Sequence, residues 1–97
     1  MTPTIQSIHF DADKKLLALI QEKCAKLAQF FDAIVDVQVY LKLEKNNSGN
    51  KIVELKLLVP NETLLSTQRA RTFEEATNQC IEQAKRQLQK YKDKMRS

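Results

Sequence analysis

The sequence is poor in the residues that most often carry chemistry: one histidine, one glycine, two cysteines and no tryptophan among 97 residues. A single glycine, Gly49, cannot build the loop whose backbone amides cradle a phosphate, which excludes the common nucleotide-binding fingerprints. The one histidine, His9, has no nearby nucleophile with a nameable base and orienting group, so it reads as structural or solvent-exposed. The carboxylates are scattered and mostly alternate with lysines, as on a solvated surface. The chain is therefore not expected to be an enzyme. Cys24 and Cys80 are too few and too far apart for a disulfide framework or a zinc site. Both fall on apolar helical stripes, where free cysteine behaves as a small buried hydrophobe. No cofactor, metal or small-molecule substrate is expected. No apolar run approaches the roughly 18–20 residues that cross a bilayer. Residues 1–10 lack both the basic start and the apolar stretch of a secretory signal. The expectation is a cytoplasmic protein with no membrane partner.

What is present is clear periodicity. After a short strand around residues 4–7, Asp13 can cap a helix reaching about Phe30. Leu16, Leu17, Ile20, Cys24, Leu27 and Phe31 recur at spacings of three and four and stack on one helical face. The period then changes to two. Val35, Val37, Val39, Leu41 and Leu43 alternate with Asp36, Gln38, Tyr40, Lys42 and Glu44, as in a half-buried strand. A polar turn over residues 45–50 contains Gly49 and invites a hairpin. Val53, Leu55, Leu57 and Val59 then alternate with Ile52, Glu54, Lys56 and Leu58, and Pro60-Asn61 closes that strand. A fourth strand over about residues 63–70 has two leucines on opposite parities, Leu64 and Leu65, so its inward face is left open.

Thr72 followed by Glu75 is a capping box. The helix it opens carries Phe73, Ala76, Cys80, Ile81, Ala84, Leu88, Tyr91 and Met95 on one stripe, uninterrupted by glycine or proline. The order is β-α-β-β-β-α, with no repeat and no linker. Each helix has one apolar stripe and the middle strands one apolar face. The expected fold is thus a two-layer α+β domain over residues 1–97, a four-stranded sheet with both helices packed on one face. Gln38, Lys42, Glu54 and Lys56 would face water on the other side, with Tyr40, Ile52 and Leu58 as apolar exceptions.

Charge is unevenly spread. The formal net charge is +4, yet the last 13 residues hold six cations against Asp93 alone, leaving the rest of the chain slightly acidic. At 100° per residue, Lys85, Lys92 and Arg96 flank the second helix's core stripe on one side, and Arg86, Lys90 and Lys94 on the other. On the first helix Lys15, Lys23 and Lys26 lie beside the apolar stripe, with Leu19 and Phe30 between them. Compensation of the helix dipole accounts for two or three cations in a last turn, but not for six in twelve residues on both flanks plus a second group. The pattern points to a polyanion, through backbone and shape recognition of structured RNA. The absence of tryptophan and the presence of only two tyrosines argue against base stacking on single strands.

Three stretches carry a specific resemblance, in order and across nearly the whole chain. Lys23-Cys24-Ala25-Lys26-Leu27-Ala28-Gln29-Phe30-Phe31-Asp32 resembles the first-helix end of bacterial ribosome hibernation-promoting factors and their ribosome-associated inhibitor relatives. Val39-Tyr40-Leu41-Lys42-Leu43-Glu44-Lys45 is similar to that family's second strand. Lys85-Arg86-Gln87-Leu88-Gln89-Lys90-Tyr91-Lys92-Asp93-Lys94 is similar to its Arg-Gln-Leu-x-Lys-x-Lys-Asp-Lys ending, the most specific of the three. The resemblance implies the same β-α-β-β-β-α order. It also implies binding to 16S rRNA of the small ribosomal subunit, where mRNA and the A- and P-site tRNAs lie, with repression of translation in stationary phase or stress. Carried over by position, the candidate rRNA contacts are Lys23 and Lys26 on the first helix. On the second helix they are Lys85, Arg86, Lys90, Lys92 and Lys94.

The chain departs from the family where Ser7 replaces a usual glycine. Arg69-Ala70-Arg71-Thr72 likewise replaces an acidic-Gly-x-Asp segment, and Phe73-Glu74 a Met-Tyr pair. The two arginines are candidates for extra RNA contacts or for an altered corner. Because the sequence stops with the second helix, it reads as a short form without a C-terminal dimerisation domain, monomeric when free. The short forms include both a factor that pairs ribosomes and one that inactivates single ribosomes, and the residues do not choose. Two other readings stand beside this one: a general double-stranded-RNA-binding module, and a protein-binding adaptor using Leu19, Phe30 and the apolar residues of the outer sheet face. Steep weakening with salt separates the RNA readings from the adaptor.

Overall fold

Changes in hydrophobic period divide the chain into the elements of the computed structural model, which describes residues 2–45 and 50–96 and, for Arg96, the backbone alone. In chain order they are β1 (Thr4–Ile8), α1 (Lys14–Phe30), β2 (Asp36–Leu43), β3 (Lys51–Val59), β4 (Glu62–Ala70) and α2 (Phe73–Arg96). Most of the expected polar turn, residues 46–49 with Gly49, lies outside the described residues. Its base is fixed by the Glu44 N–H donating to Asn50 O at 3.0 Å and by Asn50 Nδ2 donating to Glu44 O at 3.0 Å.

Both helices begin where a side chain can accept an orphan amide. The Asp13 carboxylate accepts the Leu16 N–H at 2.7 Å. Thr72 Oγ1 accepts the Glu75 N–H at 3.0 Å, and Glu74 and Glu75 sit at the positive end of the α2 dipole. α1 stops at Phe31, whose backbone is extended and whose N–H closes on Leu27 O at 3.0 Å.

The sheet order is β1-β2-β3-β4. β1 runs parallel to β2, so the chain crosses between them through α1, while the remaining pairs are antiparallel hairpin neighbours. Val59 pairs with Glu62, leaving Pro60-Asn61 as a two-residue turn. Asn61 adopts φ 68°, a left-handed conformation that asparagine tolerates better than most residues. His9 takes the same φ on leaving β1 and is exposed there.

One sheet face makes the core. Val37, Val39, Leu41, Val53, Leu55, Leu57, Val59, Leu64 and Ala70 form a single buried cluster with residues of both helices. Leu16, Ile20, Cys24 and Leu27 come from α1, and Ala76, Cys80, Ile81, Ala84, Leu88 and Tyr91 from α2. Both helices therefore lie on the same face, α2 over β3 and β4 with α1 beside it.

Ring contacts at both ends set the helix directions. Phe10, leading into α1, stacks on Phe73 at the start of α2, with centroids 4.9 Å apart and planes 10° apart. Phe31, closing α1, meets Tyr91 edge-on at 5.5 Å and 72°. The helices run parallel, and their C-terminal, electronegative ends meet at one end of a body 45 × 23 × 18 Å.

Several side chains differ from the alternation expected of them. Val35 is 66% exposed and precedes β2, because Ile34 takes the core position and the Val35 N–H bonds Leu58 O at 2.7 Å. Leu43 and Met95, at element ends that outrun the core, are exposed as well. Ile52, on the outer face, is nevertheless buried between its register partners Lys42 and Arg69. On β4 the inward set is Leu64, Ser66, Gln68 and Ala70, and Leu65 faces out.

Candidate nucleic-acid interface

The rotation of α2 about its axis decides where its cations go, and amide side chains hold that rotation. Gln83 Oε1 accepts Gln68 Nε2 at 2.9 Å and lies 2.6 Å from Ser66 Oγ, while Gln87 Nε2 donates to Leu65 O at 2.6 Å. Gln83 and Gln87 thus face β4, the last strand in the sheet order. Arg86, Lys90 and Lys94, at successive spacings of four, follow the same flank along that edge. Lys94 Nζ lies 3.5 Å from Glu62 at the start of β4. Lys90 and Lys94 line a hollow with Glu62, Leu64, Gln87 and Tyr91, and Arg86 lines a second with Gln68, Asn78, Gln79 and Glu82.

The other flank of α2 faces α1. Lys92 Nζ lies 4.8 Å from the Phe30 ring centroid and 5.9 Å from that of Phe31. Lys23, Lys26 and Phe30 follow one another on α1 at i, i+3 and i+7, a single column beside the core stripe. Lys85 precedes Lys92 by seven residues on α2 and so shares its column. The parallel packing consequently sets Lys23 and Lys26 across from Lys85 and Lys92, along the seam between the helices. The side chain of Arg96, expected on this flank, lies outside the described residues.

The seven candidate cations are thus gathered on the helical layer in two groups, one along the seam and one along the β4 edge. Their engagement differs. Among the described residues, Lys23, Arg86 and Lys90 have no ion pair. Lys26 lies 3.6 Å from Glu22 and Lys85 3.5 Å from Glu82. Exposed pairs of this kind are worth about 0–1 kcal/mol, so a phosphate can displace the carboxylate at little cost. The ring contacts of Lys92 were not foreseeable from its charge. Their signal is the pairing of Phe30-Phe31 with a lysine some sixty positions later, meaningful only once the helices are known to be parallel.

Arg69 does not join either group. It makes a bidentate pair with Glu44, at 2.6 and 3.1 Å, on the outer sheet face, which holds the Glu44 carboxyl below its ordinary range. Arg71 is exposed at the start of α2, the end of the helix away from the basic cluster. The outer face is charge-balanced: Lys42 pairs with Glu54 at 2.8 Å, and Lys56 lies 5.9 Å from the Tyr40 ring centroid.

Both cysteines are buried and free. Burial pushes the Cys24 thiol up to about 12. It pushes Cys80 up to about 11, outweighing the hydrogen bonds from Ser66 and Gln68 that act the other way. Such thiols are neutral at physiological pH and inert as nucleophiles. Among the described residues no cluster of His, Cys, Asp and Glu could hold a metal ion, and no helix is long and apolar enough to cross a membrane.

A model of the family described as "Sigma 54 modulation protein / S30EA ribosomal protein" matches residues 4–96. Two Pseudomonas putida proteins named ribosome hibernation promoting factor are each 29% identical over 97 residues, all of this chain and 92% of theirs. In fold, the chain resembles a ribosomal subunit interface protein from Coxiella burnetii, with a TM-score of 0.86 at 19% identity over 96% of this chain and 99% of the other. It also resembles the N-terminal domain of Thermus thermophilus Protein Y, with a TM-score of 0.80 at 13% identity over 94% and 99%.

Proposed function

The chain belongs to the Sigma 54 modulation protein / S30EA ribosomal protein family, and from that premise we propose that it is a ribosome hibernation factor that grips small-subunit rRNA with its helical layer. The observation that carries this reading is the gathering of the cations onto the two parallel helices, against a charge-balanced outer sheet face. Lys23, Lys26, Lys85, Arg86, Lys90 and Lys94 supply charge to phosphates, while Lys92, within the seam group, lies over the Phe30 and Phe31 rings. Each phosphate neutralised releases condensed counterions, which drives binding and makes it salt-dependent. Arg86, exposed and without an ion pair among the described residues, can grip a phosphate bidentately, while the lysines act as point charges. Phosphates of folded rRNA, spaced by A-form geometry, match two groups at fixed separation better than a flexible single strand does. Seated in the decoding channel, residues 1–97 would act as one cytoplasmic, monomeric domain that excludes mRNA and tRNA and represses translation in stationary phase or stress. No catalytic step is required of it.

The test is co-sedimentation of the chain with intact ribosomes, separated subunits and an unrelated RNA duplex. The expected result is association with ribosomes and the small subunit, weakening steeply with salt, and little retention on the duplex. Equal binding to every RNA would favour a general duplex-binding module instead, and salt-independent binding would favour a protein-binding adaptor.

A further inference from the structure

We propose that Lys92 is a positioning residue, pinning the end of α1 to the end of α2 and so fixing the distance between the two phosphate-binding groups. The inference rests on the reading that both groups bind RNA. Its basis is the environment of the ammonium. Lys92 is half-buried, and its Nζ lies 4.8 Å from the Phe30 centroid and 5.9 Å from that of Phe31, within cation–π range of both rings. The chain of contacts continues inward. Phe31 meets Tyr91 edge-on, Tyr91 is buried, and its hydroxyl donates to Pro60 O at 2.5 Å. Lys92, Phe30, Phe31, Tyr91 and the β3–β4 turn thereby tie three elements together at one end of the molecule.

The last turn of α1 contains no basic residue, although the unpaired carbonyls there form the negative pole of the helix. Lys92 brings a cation from the neighbouring helix to the two rings that close α1. Phe30 lies on the same column as Lys26 and Lys23, one and two turns back, so whatever fixes Phe30 also fixes them. On α2, the residues on either side in sequence run to Lys90 and Lys94, on the opposite flank. Among the described residues Lys26 and Lys85 meet exposed carboxylates and Lys23, Arg86 and Lys90 have no ion pair, whereas Lys92 lies over two rings.

An ammonium lying over a ring can still turn a proton toward a phosphate, so affinity alone does not separate the roles; the salt slope does. The experiment measures ribosome affinity across a range of salt for Lys92→Gln, Lys92→Arg, Phe30→Leu, the double variant Phe30→Leu/Lys92→Gln, and Lys90→Gln as the phosphate-contact comparator. Circular dichroism establishes that each folds. Lys90→Gln should flatten the slope of log affinity against log salt by about 0.7–0.9. Lys92→Gln should weaken binding about 2–5-fold at fixed salt, the factor carried by an exposed cation–π contact, with the wild-type slope retained. Lys92→Arg should restore affinity. Phe30→Leu should reproduce Lys92→Gln, and the double variant should be no weaker than either single one. Should Phe30→Leu fail to fold, the two Lys92 variants still decide the matter. A slope flattened by Lys92→Gln as much as by Lys90→Gln would overturn the inference and make Lys92 a phosphate contact. If the wild-type chain itself bound without salt dependence, the RNA reading would fall, and this inference with it.

Discussion

Replacing Arg86, Lys90 and Lys94 together by Glu should abolish ribosome binding without unfolding the chain. All three are exposed, and among the described residues Lys94 meets Glu62 at 3.5 Å with its own side chain 71% exposed. An exposed pair of that kind contributes about 0–1 kcal/mol. Placing Glu at the C-terminal end of α2 adds an unfavourable dipole interaction of about 0.3–1 kcal/mol per residue. The total is a few kcal/mol at most, against a typical stability of about 5–15 kcal/mol. Binding loses far more. At about 0.7–0.9 per phosphate contact, the neutral variant with Gln at all three positions should flatten the salt slope by about 2–3. Over a fourfold change in salt, its affinity should move roughly 15–60-fold less than that of the wild type. The Glu variant should neither co-sediment with ribosomes nor inhibit translation in a cell-free system. The comparison is Lys42→Gln/Lys56→Gln on the outer sheet face, which removes charge where no contact is expected. A folded helix variant that inhibits translation at the wild-type concentration, or a sheet variant that flattens the slope as much per charge removed, would refute the reasoning.

Replacing Cys24 and Cys80 with Ala should lower stability by about 1–2 kcal/mol each, from lost burial and the cavity left behind, while ribosome binding persists in the folded fraction. Loss of binding by a folded double variant would contradict a purely structural role. The thiols also predict an alkaline transition. Their folded values, about 12 and about 11, lie above the ordinary 9.0 because burial disfavours the thiolate. Their contribution is therefore fully present below about pH 9 and is lost as pH rises toward 11–12. Denaturant melts at pH 8 and pH 10.5 should show a smaller alkaline loss for the double Ala variant than for the wild type; equal losses would mean that other groups govern that range. Tyr91→Phe removes the bond to Pro60 O and should cost about 0.5–1.5 kcal/mol, a drop in Tm of several degrees by calorimetry. An unchanged Tm would mean that the turn holds α2 by packing alone.

Much of the fold was legible because period and capping agree. Asp13 and Thr72 cap the helices as their types and spacing predict, and the change from period 3.6 to period 2 marks the entry to β2. Legibility failed where burial depends on a distant partner. Ser66 and Gln68 are polar yet face the core, because Gln83 and the Cys80 carbonyl of α2 satisfy them. No pattern within β4 carries that information. Ile52 reads as an exposed outlier but is covered by Lys42 and by Arg69, which its pair with Glu44 holds across the strand. At the candidate site, a helical wheel located both basic flanks. It could not distinguish a free cation such as Lys90 from one lying on rings such as Lys92, because Phe30 and Phe31 belong to the other helix.

The claim that the helical layer is the gripping surface is tested most directly by lysine labelling. An amine-reactive reagent would be applied to the free chain and to the chain bound to ribosomes, with modification at each lysine read by mass spectrometry. Lys23, Lys26, Lys85, Lys90 and Lys94 should become protected on binding, while Lys42 and Lys56 on the outer sheet face remain as reactive as in the free chain. Protection of Lys42 and Lys56 with the helix lysines left reactive would contradict the account.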